Sequence, residues 1–120
     1  MSCLFDSLSI CLQKIQINIT SIDLRNQICD YLLQNKKMID DITSSAITQW
    51  ESNMSISDYV LKMRNNSTWG GAIEIKAFCD LYNVEVNVYN SDMSIINFIS
   101  NDIPYITINL KYNGNHYIPY

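Results

Sequence analysis

Apolar residues in the first two thirds of the chain recur at the spacing of amphipathic helices, three or four residues apart. The apolar stripe of the second predicted helix leaves Arg25 on the opposite, solvated side. The clearest pattern follows paired glycines and ends at Asn83, a plausible C-cap. Five helices are predicted. The first covers about residues 3–14, the second runs from the N-cap Ser21 to just before Asn35, and the third covers about residues 38–50. The fourth is a short helix that begins at Ser57-Asp58, and the fifth covers residues 72–83.

Beyond Asn83 the period of apolar residues changes from 3.6 to 2, which predicts strands with one buried face. The predicted strands cover residues 84–88, 94–99, 106–111 and 116–120. Asn113-Gly114 is a strong hairpin signal, and Pro119 favours an edge position or the end of the last strand. Helices followed by antiparallel strands predict an α+β fold.

Length and charge narrow the class of protein. The 120 residues are enough for one core, so we expect a single domain over residues 1–120. The formal net charge is −4 and the eight basic residues do not cluster, which argues against a nucleic-acid surface and suits a basic partner. No apolar run approaches the roughly 20 residues of a membrane span, and no export signal is visible, so we expect a cytoplasmic protein.

The cysteines and the single histidine limit the available chemistry. Cys3, Cys11, Cys29 and Cys79 form no C-x-x-C pair, so free thiols are expected rather than disulfides. A structural zinc would need several of these thiols together with His116, and the spacing offers no neighbouring pair of ligands. We expect no metal and no cofactor, and any imidazole chemistry must use His116.

Cys3 and His116 are the parts of a thiol-dependent hydrolase. Cys3 lies in the first turn of a predicted helix, where unpaired N–H groups and the helix dipole favour a thiolate. His116 follows a hairpin turn on a terminal strand and could ion-pair with that thiolate. The alternatives are a buried structural cysteine and an ordinary surface histidine.

The motifs around these residues resemble a known family. Cys3-Leu4-Phe5 with Leu8-Ser9 matches the second half of the nucleophile motif Asp-Gly-Asn-Cys-Leu-Phe. Further matches follow in order: Leu24-Arg25, Tyr31-Leu32, Tyr59, Met63, Trp69-Gly70-Gly71-Ala72-Ile73-Glu74-Ile75, Tyr105-Ile106 through Leu110, and Tyr112-Asn113-Gly114-Asn115-His116-Tyr117. The sequence thus resembles the ovarian-tumour (OTU) family of cysteine proteases, which are deubiquitinases, and looks most like the branch with a Trp-Gly-Gly-Ala-Ile-Glu block.

The resemblance implies a papain-like OTU fold, with N-terminal helices packed on a small, mostly antiparallel sheet. It implies Cys3 as the nucleophile and His116 as the general base and acid. Trp69, Gly70 and Gly71 match a segment near the cleft and, with Asn115, are the expected substrate-binding residues. Trp69 could instead be a packing aromatic, and Glu74 a helix-capping or hydrogen-bonding carboxylate.

The substrate that the resemblance implies is ubiquitin or polyubiquitin, with another ubiquitin-like modifier as an open alternative, and the protein is expected to act as a monomer. Ubiquitin's flexible C-terminus ends in Arg-Leu-Arg-Gly-Gly, and its two arginines would meet an acidic protein favourably. The bond cut would be the isopeptide bond after the last glycine. The host cytosol is the expected compartment if the source is viral or an intracellular bacterium.

Two departures from the family pattern matter. Many members carry Asp or Asn two residues after the histidine to orient the imidazole, and Ile118 cannot do so. Met1-Ser2 replaces Gly-Asn, and the motif's Asp has no counterpart, as in a domain truncated before Cys3. Three functions therefore compete: a deubiquitinase of weakened activity, a catalytically impaired ubiquitin-binding module, and an interaction domain with neither property.

Overall fold

The computed structural model describes residues 3–120 and confirms the α+β class, with helices first and most of the strands last. The elements in chain order are α1 (Cys3–Lys14), α2 (Ser21–Leu33), β1 (Lys37–Ile39), β2 (Ile42–Thr43), α3 (Ser44–Ser52), α4 (Ile56–Met63), α5 (Ala72–Tyr82), β3 (Glu85–Asn90), β4 (Ile95–Phe98), β5 (Thr107–Tyr112) and β6 (Tyr117–Pro119).

The main sheet is small and mixed, with strand order β4-β3-β5-β6. β4 and β6 are antiparallel to their neighbours, whereas β5 runs parallel to β3 with Glu85 opposite Thr107. The parallel pairing arises because residues 99–106 return the chain to the start of β3, where Tyr105 N donates to Asn83 O at 2.9 Å. β6 lies at the edge, as Pro119 predicted.

Local caps set the helix ends. The side chain of Thr20, rather than Ser21, caps α2 by accepting from Asp23 N at 3.1 Å. Similarly, Ser55 caps α4 two residues before the predicted start. α5 ends as predicted, because Asn83 takes the left-handed conformation at φ 53°.

The predicted helix over residues 38–50 is wrong in its first half. β1 and β2 form a short hairpin there, and its turn contains Asp40 at φ 51°, a left-handed conformation that interrupts a helix. Met38 is fully buried from β1, and the helical register begins only at Ser44. Trp50, the last residue of that predicted helix, is 70% exposed on α3.

The core joins one face of the helices to one face of the sheet. Leu4, Phe5, Leu8 and Leu12 of α1 are fully or almost fully buried in this core. Its other buried side chains include Leu24, Ile28, Leu32, Ile75, Phe78, Val86, Val88, Ile108 and Leu110. Within residues 3–120 no helix is both long and apolar enough to cross a membrane.

Candidate active site

Packing of α1 against β6 brings the two ends of the chain together. Ser7, one helical turn after Cys3, donates from Oγ to Tyr117 O at 2.9 Å. Residues i and i+4 share a helix face, so Cys3 lies on the side of α1 that meets β6. His116 directly precedes Tyr117. The elements that carry the predicted nucleophile and base are therefore neighbours across 110 residues of sequence.

Cys3 is the most accessible thiol among the four cysteines. It is the first residue of α1 and is half-buried, whereas Cys11, Cys29 and Cys79 are buried. Desolvation by burial raises the pKa of the Cys11 thiol, that of Cys29 to about 11 and that of Cys79 to about 12. The last three thiols are thus protonated and shielded at neutral pH, which leaves Cys3 as the candidate nucleophile.

His116 is held by a structured turn rather than by a strand. Asn113 Oδ1 accepts from the backbone N of Asn115 at 2.9 Å and from that of His116 at 2.8 Å. Tyr112 Oη donates to Gly114 O at 2.9 Å, and Gly114 takes φ 96°, which a Cβ would strain. His116 directly precedes β6. The side chains of Asn115 and His116 are both exposed.

Tyr117 lies between the two ends. Its ring stacks on that of Tyr112, with 4.4 Å between centroids. Burial, with smaller electrostatic contributions from its neighbours, raises the pKa of Tyr117 to about 12. Its backbone carbonyl accepts from Ser7 of α1, which ties Tyr117 to the helix that begins at Cys3. The phenol therefore stays protonated at neutral pH.

Gly70 fits closely against the first turn of α1. A Cβ on Gly70 would lie 2.8 Å from Leu4 Cδ2 and 3.0 Å from Phe5 Cε2, closer than real side chains approach. A Cβ on Gly71 would meet nothing within 4 Å. The close approach of Gly70 therefore fixes the Trp69-Gly70-Gly71 segment to the residues that directly follow Cys3.

Glu74 caps α5 and holds the same segment. One carboxylate oxygen accepts from Gly71 N at 2.7 Å and the other from Tyr59 Oη at 2.5 Å. This arrangement confirms the capping and hydrogen-bonding interpretation of Glu74. The side chain is almost fully buried, and desolvation raises its pKa, although the two donors and the charge of Arg25 oppose that rise.

Arg25 was predicted to be solvated and is instead 1% exposed. Its guanidinium lies over the ring of Phe5, 4.2 Å from the centroid, and donates from Nη1 to Met63 O at 2.8 Å and to Thr68 O at 2.9 Å. The prediction failed because the acceptors are backbone carbonyls about forty residues away, which no local pattern reveals. Arg25 thus joins α1 to the loop that leads into Trp69.

The structure places the other predicted residues around two cavities. A cavity of about 710 Å³ is lined by Trp69, Gly70 and Gly71, and Trp69 is 51% exposed. A second cavity, of about 370 Å³, is lined by His116 but not by Asn115. Cys3 is not among the residues that line either cavity.

The part of the chain that the structure describes contains no cluster of side chains suited to bind a metal ion. No group of three or more His, Cys, Asp or Glu side chains between residues 3 and 120 is arranged to hold a metal ion. The arrangement around α1 and β6 instead supplies a helix-terminal thiol, an imidazole on a fixed turn and a glycine segment, which are the groups that thiol-based acyl transfer uses.

Solved structures share this fold. An OTU domain in complex with ubiquitin superposes with a TM-score of 0.77 at 24% identity, covering 98% of this chain and 62% of that one. An OTU deubiquitinase from Wolbachia pipientis wMel bound to ubiquitin gives 0.70 at 20% identity, covering 98% and 88%. At these identities the likeness establishes the fold.

Curated relatives carry the same domain within longer proteins. Ubiquitin thioesterase otu2 of Schizosaccharomyces pombe is 34% identical over 100 residues, 81% of this chain and 32% of that protein. OVARIAN TUMOR DOMAIN-containing deubiquitinating enzyme 6 of Arabidopsis thaliana is 30% identical over 100 residues, which are 79% of this chain and 18% of that protein. The chain spans a third or less of the length of these relatives. A model of the OTU-like cysteine protease family matches residues 2–120, and the chain belongs to that family.

Proposed function

We propose that the chain is a deubiquitinating cysteine protease that hydrolyses isopeptide bonds after the C-terminal glycine of ubiquitin. Cys3 is the nucleophile and His116 the general base and acid. The observation that carries the proposal is the packing of α1 on β6, with Ser7 Oγ 2.9 Å from Tyr117 O, in a chain of the OTU family. The solved OTU domains bound to ubiquitin support the choice of substrate.

The reaction has two steps. The Cys3 thiolate attacks the isopeptide carbonyl, the C–N bond breaks, and the His116 imidazolium gives its proton to the departing lysine amine, leaving a thioester. His116 then takes a proton from water, whose oxygen attacks the thioester carbonyl and releases the ubiquitin carboxylate. Cys3 leaves as thiolate, paired again with imidazolium. Backbone N–H groups at the start of α1 face the oxyanion.

The C-terminal tail of ubiquitin, which is the acyl side of the substrate, binds in the larger cavity. Trp69, Gly70 and Gly71 line it, and Gly70 touches the residues just after Cys3. The carboxylates of Asp40 and Glu51 belong to the same lining. Two arginines precede the terminal glycines of ubiquitin, so acidic side chains there favour its tail. The block Trp69 to Glu74 supports placement in the branch that shares it.

Covalent capture tests this proposal. A ubiquitin probe with a C-terminal electrophile should label the wild-type chain, while Cys3→Ala should abolish labelling and His116→Ala should slow it by about 100-fold or more. Cys11→Ala is the matched control, because Cys11 is buried and should not react. Labelling of Cys3→Ala at the wild-type rate would eliminate Cys3 as nucleophile.

Ile118 favours a second candidate, a catalytically impaired module that binds ubiquitin. Its apolar side chain stands two residues after His116 and offers no acceptor for the imidazole N–H. This function requires ubiquitin binding that depends on its C-terminal tail, with no probe adduct at any time. Binding of both full-length and tail-truncated ubiquitin with equal affinity would contradict this candidate as well.

A further inference from the structure

The smaller cavity lies on one face of the sheet, beside the turn that carries His116. Lys111 of β5 is directly opposite Tyr89 of β3 and Ile118 of β6, so the three side chains stand in a row on one face. The next pair in the β5–β6 ladder is Asn113 with His116, whose carbonyl accepts from Asn113 N at 3.2 Å. His116, two residues before Ile118, contributes to the same cavity. All of them line one cavity of about 370 Å³.

This cavity lies where the departing half of a substrate must go, an inference that rests on the proposed function. A general acid has to reach the leaving amine within hydrogen-bond distance, so the lysine that loses ubiquitin passes beside His116. The ubiquitin tail occupies the other cavity, beside Trp69 and Gly70. The apolar surfaces of Ile118 and Met93 suit the four methylene groups of the leaving lysine.

The positive charge at the cavity favours acidic residues beside the lysine that leaves. Lys111 is the one lining residue, among those described, with a fixed charge besides the titratable His116. Its Nζ lies over the Tyr120 ring, 4.9 Å from the centroid, and the ion pairs of the described residues do not include it. Asp92 is in the adjoining turn, but its carboxylate accepts from Ser94 N and Oγ and does not line the cavity.

We propose that the cavity of His116, Ile118, Met93 and Lys111 binds the acceptor segment of the isopeptide, and that Lys111 selects segments with acidic residues beside the modified lysine. Lys111 is thus a specificity residue for the leaving half and takes no part in bond breaking. Because it is solvent-exposed, its preference should be modest and should weaken as salt is added.

The experiment compares ubiquitin joined through a lysine ε-amine to three short peptides, with Asp and Glu, Ser, or Arg as flanking residues. The wild-type chain should cleave the acidic peptide with a kcat/KM about 2- to 5-fold above that of the Ser peptide. Lys111→Met should abolish this ratio, and Lys111→Glu should reverse it in favour of the Arg peptide. Lys14→Glu, with the same charge change at the far end of α1, should leave the ratio unchanged.

The electrophilic ubiquitin probe lacks an acceptor peptide and therefore separates the two proposals. All four proteins should label with it at rates within about twofold of one another. Normal labelling with a peptide ratio that Lys111→Glu does not change would overturn the role of Lys111 alone. An equal change in Lys14→Glu would also overturn it, because net charge would then explain the preference. Absence of labelling in the wild type would overturn the proposed function, and this inference with it.

Discussion

Replacement of Gly70 by Ala tests how tightly the glycine segment is fixed to the helix of Cys3. The added Cβ would lie 2.8 Å from Leu4 Cδ2, 3.0 Å from Phe5 Cε2 and 3.1 Å from Phe5 Cζ. Ordinary contacts begin near 3.4 Å, so these atoms must separate by several tenths of an ångström. Neither neighbour has free space to move into, because Leu4 and Phe5 are fully buried in the core.

The expected cost follows from overpacking. Insertion of one methyl group into a well-packed core costs about 1–3 kcal/mol, since side chains leave their rotamers or the backbone shifts. In a domain of this size each kcal/mol lowers the melting temperature by about 4 °C, so Gly70→Ala should lower it by about 4–12 °C. The displaced atoms directly follow Cys3, so probe labelling should slow as well.

Thermal unfolding followed by circular dichroism measures the first effect, and Gly71→Ala supplies the matched control. A Cβ on Gly71 meets nothing within 4 Å, and its φ of −152° is negative, so the added methyl group makes no close contact. The control should lose less than about 1 kcal/mol, the difference between Gly and Ala at an N-cap. Equal losses in both variants would refute the argument that contact with α1, rather than a general need for glycine, fixes this segment.

Three further predictions follow from the buried polar groups and the departure at Ile118. Arg25→Lys should lower the unfolding free energy by about 1.5–3 kcal/mol in denaturant titrations, because an ammonium cannot span the carbonyls that the guanidinium joins. Glu74 has a pKa raised above its ordinary 4.5, so the wild type should lose stability as pH rises above that value; Glu74→Gln should flatten this dependence in melting curves, and an unchanged slope would contradict it. Ile118→Asn should raise kcat roughly 10-fold by giving His116 an orienting acceptor, whereas a fall in kcat would show that the imidazole is already oriented.

Elements whose signals are local were predicted well. The apolar stripe of α1 lies within α1 itself, and the alternation of apolar and polar residues that begins after Asn83 lies within β3. The Asn113-Gly114 turn likewise depends on its own side chains, since Asn113 Oδ1 accepts from the two residues that follow Gly114. Such elements are decided by propensity and neighbouring hydrogen bonds, which a sequence displays directly.

Features fixed by distant partners were missed. Met38 is apolar at a helical spacing from Ile42, yet the left-handed Asp40 between them permits a hairpin that buries Met38 from a strand. The parallel placement of β5 depends on a crossover that strand periodicity does not encode. The prediction for Arg25 fails for a similar reason: a charged residue in an amphipathic helix is solvated by default, and distant carbonyls supplied by Met63 and the following loop make its burial favourable.

The same distant contacts explain why the candidate site depends on residues that never touch a substrate. The first two turns of α1 are held from three directions: Gly70 packs against Phe5, Arg25 lies over the same ring, and Ser7 donates to Tyr117 across 110 residues. Each contact comes from a different part of the chain, so Cys3 and β6 approach each other only when the whole core is assembled. Loss of any one contact should therefore reduce the rate of thiol chemistry along with stability, because a nucleophile displaced by about 1 Å already costs about 100-fold in rate.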